Sequence, residues 1–158
     1  MYRNRFDEAL AESELALRLN PNFSLAYGFC GLVLSYCGRW QEGAAAARRA
    51  LQLSPRDPFS AVFSAVAAYA EFIGRNYTQA ISLAREAIRE RCDFVGAHRV
   101  LTAAAAMAGD CDLARTALKQ LRCVQPNLSL AYIASQLPIP QRTEREHYLE
   151  AFRRAGLD

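Results

Sequence analysis

The sequence predicts an all-α fold in which antiparallel helix pairs stack into a solenoid. Three observations predict it: helix-ending residues recur at a fixed spacing, small residues recur at fixed points within each period, and capping or proline-rich segments separate the helical stretches. A fixed period of about 20–50 residues is typical of stacked supersecondary units. We therefore interpret the chain as a series of such units.

The spacing of the helix-ending residues gives the length of one unit. Pro21 and Pro55 are 34 residues apart, and Cys92 and Pro126 are also 34 residues apart. The interval between Pro55 and Cys92 is 37 residues. We expect the same helix pair in each interval, with the three surplus residues of the middle unit around Phe72–Asn76.

Residue size follows the same period. About fifteen positions before each helix-ending residue lies a residue that is bulky in most units. A small residue follows three positions later, and a residue that is usually alanine follows seven positions after that. Small side chains at fixed points indicate helices in close contact, where overpacking costs about 1–3 kcal/mol. The three aligned sets are Phe6, Trp40, Tyr77 and Cys111; Ala9, Gly43, Ala80 and Ala114; and Ala16, Ala50, Ala87 and Leu121.

Local signals predict nine helices. Asp57 followed by Pro58 is an N-cap and first-turn pair, and the segment 109–110 ends one helix and caps the next. The capping-box spacing of Thr143–Glu146 starts the last helix. We interpret that helix as a lid, because residues 137–140 break the repeat before it. The predicted helices are 4–19, 23–37, 40–53, 58–73, 76–90, 94–108, 110–124, 128–136 and 143–155.

The pattern resembles the tetratricopeptide repeat, whose unit is a 34-residue pair of antiparallel helices. In the segment 24–55, the matching residues are Tyr27, Cys30, Gly31, Gly38, Arg39, Trp40, Ala50 and Pro55. In the segment 95–126, they are His98, Leu101, Gly109, Ala114 and Pro126. The resemblance covers roughly residues 3–137, and it implies a right-handed α–α superhelix with a C-terminal capping helix.

The resemblance also implies how the single domain, residues 1–158, is divided. The parts are the second helix of an incomplete repeat (1–21), three repeats (22–55, 56–92 and 93–126), and a partial repeat with the capping helix (127–158). The register of the first helix in 56–92 stays open. A chain of this length buries about 70% of its unfolded surface.

Composition excludes several classes of protein. Hydrophobic residues make up 52% of the chain, yet no apolar run approaches the ~18 residues of a membrane span. The first eight residues lack a signal-peptide core, so we expect a cytoplasmic protein. Five cysteines, an odd number without close pairing, predict reduced and mostly buried thiols.

The family resemblance implies a groove along the first helices that receives a protein or peptide segment. Its positions here are apolar or small apart from Arg99, which favours an apolar partner segment. Some family members bind acidic C-terminal tails with a clamp of Lys and Asn side chains, and that clamp is absent here. The groove positions are Leu25, Gly28, Leu32, Ser35 and Tyr36 in one unit, and Gly96, Arg99, Ala103, Ala106 and Met107 in the other.

Two alternatives to partner binding stay open. The apolar face could be packed against the next turn of a longer superhelix, or covered by the C-terminal lid. At the other end, Phe6 and Leu10 lie on a second helix whose first-helix partner is missing, although terminal repeats need a polar outer face. We favour the tail of a longer array, with self-association of this face, as in a homodimer, as the alternative.

Catalytic and metal-binding signals are weak. His98 lies at a core-facing position and is expected to be a packed core histidine, whereas His147 is expected to be exposed. Cys30 and Cys37 share a helix face, which indicates packing. The sequence has no His-Glu-x-x-His, Cys-x-x-Cys or phosphate-cradling glycine loop. We expect no enzyme activity, metal or cofactor.

Nucleic-acid binding is also disfavoured. The net charge is +3, but the arginines are interleaved with glutamates, which is typical of a solvated outer face.

The segments 125–132 and 148–157 resemble the C-terminal end of tetratricopeptide regions in bacterial class III adenylate cyclases. That resemblance implies a regulatory or assembly tail whose catalytic residues lie in an upstream domain.

Three functional hypotheses follow. The leading one is a non-catalytic protein–protein interaction scaffold that binds a partner segment in an apolar concave groove. The alternative is the regulatory or dimerisation tail of a bacterial signalling enzyme such as a class III adenylate cyclase. An unrecognised enzyme that depends on His98 is the third. The partner, the oligomeric state and any upstream repeats or catalytic domain are left open.

Overall fold

The computed structural model describes residues 2–158, with side chains described from Arg5 onward. This part of the chain contains nine helices and no strand, so the predicted all-α fold is confirmed, and each predicted helix end lies within two residues of the observed one. The helices are α1 (Tyr2–Leu19), α2 (Ser24–Tyr36), α3 (Trp40–Leu53), α4 (Ser60–Ile73), α5 (Tyr77–Glu90), α6 (Val95–Met107), α7 (Cys111–Val124), α8 (Leu130–Gln136) and α9 (Arg142–Ala155). None of the helices described here is both long and apolar enough to span a membrane.

From α1 to α7, helices that follow one another in sequence pack together and form a superhelical stack. Three-residue connections join α2 to α3, α4 to α5 and α6 to α7, and such short connections make antiparallel neighbours. The first helices α2, α4 and α6 also contact one another. They therefore line one continuous face of the stack, which we call the first-helix face.

The small residues of the repeat lie where helices approach most closely. Gly43, Ala80 and Ala114 are buried. A Cβ atom placed on Gly31 would lie 2.8 Å from the carbonyl oxygen of Gly43, so α2 and α3 are in backbone contact there. Their counterpart in α1, Ala9, is only half-buried, because no helix precedes α1 in the described structure.

The surplus residues of the middle unit are not at Phe72–Asn76, where we predicted them. The α4–α5 connection has the same length as the two equivalent connections. Instead, the α3–α4 connection is two residues longer than the α5–α6 connection, and α4 is one residue longer than α2 or α6. Asp57 stabilises this extra turn: its Oδ1 accepts a hydrogen bond from the backbone N–H of Phe59 (2.8 Å). Consequently α4 begins at Ser60, and Asp57 is not its N-cap.

The turns inside the helix pairs each place one residue in the left-handed region. In two turns it is a glycine, Gly38 (φ 79°) or Gly109 (φ 81°), but in the middle turn it is Arg75 (φ 66°). The neighbouring Gly74 is needed because a Cβ there would lie 2.6 Å from the ring of Trp40. Left-handed geometry costs an arginine roughly 1–2 kcal/mol. The guanidinium of Arg75 offsets part of this cost through an ion pair with Glu144 in α9 (2.8 Å).

The last helix is held by tertiary contacts and not by the predicted capping box. The N-cap of α9 is Gln141, two residues before the predicted N-cap Thr143, and its side chain makes no capping hydrogen bond. Its side-chain amide instead donates to the carbonyl oxygen of Cys37 (2.7 Å). Tyr148 and Phe152 of α9 are buried against the stack. By contrast, the predicted cap of α7 is present, since Asp110 accepts from the N–H of Leu113 (3.0 Å).

Candidate functional site

An open groove runs along the first-helix face. Its deeper part, which we call the cleft, has a volume of about 200 Å³ and lies between α2, α4, α6 and the connection from α8 to α9. A shallower part, which we call the furrow, continues between α2 and α4. Leu32, Val62 and Val66 line both parts, so the cleft and the furrow form one groove.

Several predicted groove residues line this surface. Leu25 lines the furrow, and Leu32 lines both parts of the groove. Tyr36, Gly96 and Arg99 line the cleft. The structure therefore brings α2 and α6 residues that are about 60 positions apart in sequence to a single cleft.

Other predicted groove residues are taken up by helix packing. Gly28 is buried against the ring of Phe63, which a Cβ on residue 28 would overlap. Ser35 is buried, and its hydroxyl donates to the carbonyl oxygen of Gly31 (2.7 Å) within α2. Ala103 is completely buried in the core that α6 shares with α9. The side chains of Ser35 and Ala103 are therefore not accessible to a partner, whereas Gly28, which has no side chain, lies in the lining of the furrow.

The lid covers part of the first-helix face. Helix α9 packs on α6, and Ala106 is buried in the same core as Tyr148 and Phe152 of α9. Met107 is partly buried and packs against that core. The chain thus covers the C-terminal end of its own first-helix face and leaves the α2–α4 side open.

A continuous series of neighbouring aromatic rings runs past the cleft. Ring centroids are 6.2 Å apart between Phe6 and Tyr36, 5.3 Å between Tyr36 and Tyr69, 5.8 Å between Tyr69 and Tyr148, and 5.1 Å between Tyr148 and Phe152. These distances are typical of favourable aromatic pairs. The series joins α1, α2, α4 and α9, and its three tyrosines line the cleft.

Tyr69 is a groove residue that sequence reasoning missed. Its hydroxyl is buried and has no hydrogen-bond partner among the described residues, and this burial raises the pKa of Tyr69 well above its ordinary value. Tyr69 lies 33 positions after Tyr36. This spacing is close to the 34-residue period, so it could have indicated that Tyr69 is the repeat equivalent of Tyr36. The equivalence was not drawn because the register of the first helix in 56–92 was open.

Arg99 is the only charged side chain among the described residues that line the cleft. Its Nε and Nη2 atoms donate to Oε1 of Gln125 at 3.1 and 2.9 Å. The guanidinium carbon also lies 6.0 Å from the centroid of the Tyr132 ring. Burial raises the pKa of Tyr36 across the cleft, and the positive charge of Arg99 opposes this rise. A positioned cation therefore faces an otherwise uncharged cleft.

The two histidines do not form a catalytic arrangement. His98 is buried as predicted, and its Nε2 lies 2.8 Å from the carbonyl oxygen of Cys92. His147 was predicted to be exposed, but it is half-buried between the rings of Phe72 (5.0 Å) and Tyr77 (6.1 Å). The expectation failed because α9 packs over the turn between α4 and α5. Burial lowers the pKa of His147, and the adjacent Arg75 lowers it further.

The cysteines are more exposed than predicted. Cys92, Cys111 and Cys123 are exposed, and Cys30 and Cys37 are half-buried. Cys92 lies in the connection between α5 and α6, and Cys111 and Cys123 lie in the first and last turns of α7. No group of His, Cys, Asp and Glu residues in the described part of the chain is arranged to hold a metal ion.

The predicted self-association face is partly covered. Phe6 is half-buried against Tyr36, and Leu10 is also half-buried. The most exposed large apolar side chain at this end is Leu19, at 80% exposure, and Leu15 is also exposed. Self-association through α1 stays a prediction.

No protein-family model matches this sequence, and no curated protein matches it. Solved structures match it along nearly its whole length. A crystal structure of MamA has a TM-score of 0.69 and 20% identity and covers 97% of this chain and 88% of MamA. A second MamA crystal structure has a TM-score of 0.68 at 20% identity and covers 97% and 82%. A MamA RS-1 ArsTM double mutant has a TM-score of 0.68 at 15% identity and covers 98% and 85%.

At these identities the likeness shows the fold alone. The chain has a tetratricopeptide-like helical solenoid fold, in agreement with the predicted fold class. The structural likeness does not support the resemblance of residues 125–132 and 148–157 to adenylate cyclase tails.

Proposed function

We propose that this chain is a non-catalytic protein-interaction scaffold whose groove binds an apolar segment of a partner protein. The observation that carries the proposal is the contrast between the covered α6 side and the open α2–α4 side of the first-helix face. Phe29 (52% exposed) and Phe59 (44% exposed) lie at the open end of the furrow. Exposed aromatic side chains beside an apolar groove favour a protein partner.

The dimensions of the groove favour a short segment. Leu25 and Tyr36 mark its two ends along α2, and eleven residues of helix span about 16 Å. This length matches about three turns of a partner helix or about five residues of an extended strand. Burial of the two phenylalanines and the leucines would stabilise such a complex through the hydrophobic effect, at about 25 cal/mol per Å² of apolar area.

The outer surface supports a protein partner over a nucleic acid. Arginines of α9 are paired with acids on the same helix, as in Arg153–Glu150 and Arg154–Glu150. Such pairs reduce the net positive potential that a phosphate backbone requires. No feature of the described residues favours the alternative function, a regulatory tail of a signalling enzyme.

The proposal is tested by affinity capture from a lysate of the source cell with three matched baits. They are the wild type, Phe29→Glu in the groove, and Leu19→Glu on the exposed end of α1. We expect a protein that the wild type and Leu19→Glu retain and Phe29→Glu loses, and the purified protein should then bind with the same ranking. Circular dichroism and melting curves establish that all three baits are folded.

Two outcomes would contradict the proposal. Identical captures by the wild type and Phe29→Glu would show that the groove is not the binding surface. A bait that recovers only itself, with self-association lost in Leu19→Glu, would instead support a homodimer formed through α1. Light scattering at several concentrations separates these outcomes, because a homodimer has a concentration-dependent mass.

A further inference from the structure

We propose that the segment bound in the groove carries a carboxylate that forms an ion pair with Arg99. This inference rests on the proposed function, since it specifies the chemistry of the partner. It follows from the charge, the fixed position and the surroundings of Arg99.

The charge of Arg99 is not neutralised within the chain. Some arginines of the stack form ion pairs with a glutamate of a neighbouring helix, as in Arg48–Glu71 and Arg75–Glu144. Among the side chains that the structure describes, Arg99 has no acidic partner. The residues that line the cleft with it contribute no carboxylate. A complementary occupant therefore brings a negative charge.

The guanidinium is held in position before any partner binds. Two of its nitrogens donate to the same oxygen of Gln125, a residue that is itself buried. The Tyr132 ring lies beside it. Nη1 is then left with donors that no described protein group accepts. A fixed guanidinium with open donors loses little side-chain entropy when it binds a carboxylate.

The surroundings of Arg99 make the pairing selective. Tyr36, Tyr148 and Pro138 line the same cleft, so an occupant would exclude water from the guanidinium. An apolar occupant without an acid would leave a desolvated and unpaired charge, which is strongly unfavourable. An occupant with an acid forms a charge pair in a medium of low dielectric constant, where the attraction is stronger than in water.

The occupant is a protein segment because the groove continues beyond Arg99. The apolar furrow extends to Phe29 and Phe59, far past the reach of a single small anion. The segment would combine one acidic residue at the Arg99 end with apolar residues at the furrow end. This differs from recognition by the clamp of Lys and Asn side chains in some tetratricopeptide proteins, because Gly28, Leu32 and Ala103 supply no further charged or amide group beside Arg99.

The test uses a display library of random 12-residue peptides, selected on the immobilised full chain. Baits are the wild type, Arg99→Glu and Arg115→Glu, the last a matched charge reversal on the exposed part of α7. The wild type and Arg115→Glu should enrich peptides with one Asp or Glu and several apolar residues. Arg99→Glu should instead enrich Lys or Arg at the same peptide position.

A peptide enriched by the wild type is then synthesised with its acid and with the corresponding amide. Fluorescence anisotropy should show that the amide form binds the wild type about tenfold more weakly, the change expected for loss of a charged hydrogen bond. Arg99→Gln should bind both forms equally, and Arg99→Lys should restore part of the preference. Melting curves confirm that the variants are folded.

Two results would overturn the inference. Peptides without acids whose binding is lost in Phe29→Glu but unchanged in Arg99→Gln would refute the ion pair and leave the proposed function intact. No enrichment above the background of a Phe29→Glu bait would refute both the ion pair and peptide binding in the groove.

Discussion

The two sides of the first-helix face differ in exposure: the α2–α4 side is open, and the α6 side is covered. On the α2–α4 side, Phe29 of α2 and Phe59, the residue before α4, remain exposed. On α6, Ala103 and Ala106 are buried in a core completed by α9. Both regions derive from the same repeat, so the difference teaches that the capping helix, and not the repeat itself, decides which part of the face is available.

The largest effect should come from removing a ring on the covered side. Phe152 is 0% exposed in α9, so Phe152→Ala should destabilise the protein by about 3–5 kcal/mol. The matched change on the open side, Phe59→Ala, should cost less than about 1 kcal/mol, because that ring is already partly in water. Urea unfolding measures both values. A cost below 1 kcal/mol for Phe152→Ala would mean that the lid is not part of the core.

A smaller effect should follow from enlarging one small residue of the repeat. Ala80 is completely buried at the position where helices approach closely. Ala80→Leu should therefore destabilise by about 1–3 kcal/mol through overpacking. Ala9 occupies the same repeat position in α1 but is half-buried, so Ala9→Leu should be nearly neutral. Equal melting curves for the wild type and Ala80→Leu would show that the repeat register is wrong.

The smallest effect concerns pH and the attachment of the lid. Burial and the neighbouring Arg75 lower the pKa of His147. Glu144 raises this pKa, and Arg154 lowers it. The folded protein therefore binds this proton less readily than the unfolded chain does. The corresponding stability is complete above the unfolded pKa of about 6.5 and is lost as the pH falls through it towards the folded pKa.

The measurement for this prediction is the melting temperature between pH 7.5 and pH 5. We expect the wild type to lose more stability across this range than His147→Gln, whose amide cannot become charged. Tyr77→Phe serves as the control, because it removes the hydroxyl that lies 3.2 Å from His147 Nε2 and retains the ring. Parallel curves for the wild type and His147→Gln would contradict the assignment.

Local signals predicted the repeat because they lie within single helices and turns. Prolines, turn glycines and buried alanines act over a few residues, so the helix ends could be predicted closely. The capping box of Thr143 and Glu146 did not form, because α9 begins earlier, at Arg142, and is positioned by tertiary contacts such as the ion pair of Glu144 with Arg75, 69 positions earlier in the chain. A pairing over that distance has no local signature.

The groove was predictable only in part. The residues Leu25, Leu32, Tyr36 and Arg99 line it, in agreement with the positions taken from the family. Ser35 and Ala103 do not, because the close α2–α3 contact and the lid determine their burial. Partner binding by the lining residues stays a prediction until it is measured.

The contact between Gln141 and Cys37 has a consequence for how the protein folds. In most solenoids each repeat touches only its neighbours, so that stability is nearly a sum of local terms and the ends can unfold separately. Here Gln141 and Cys37, 104 positions apart, are joined by a hydrogen bond, and the ion pair of Arg75 with Glu144 is a second long-range contact. These links couple the first and second helix pairs to the C-terminal helix. The stack is therefore expected to unfold in one cooperative transition and to fold more slowly than a solenoid with local contacts alone.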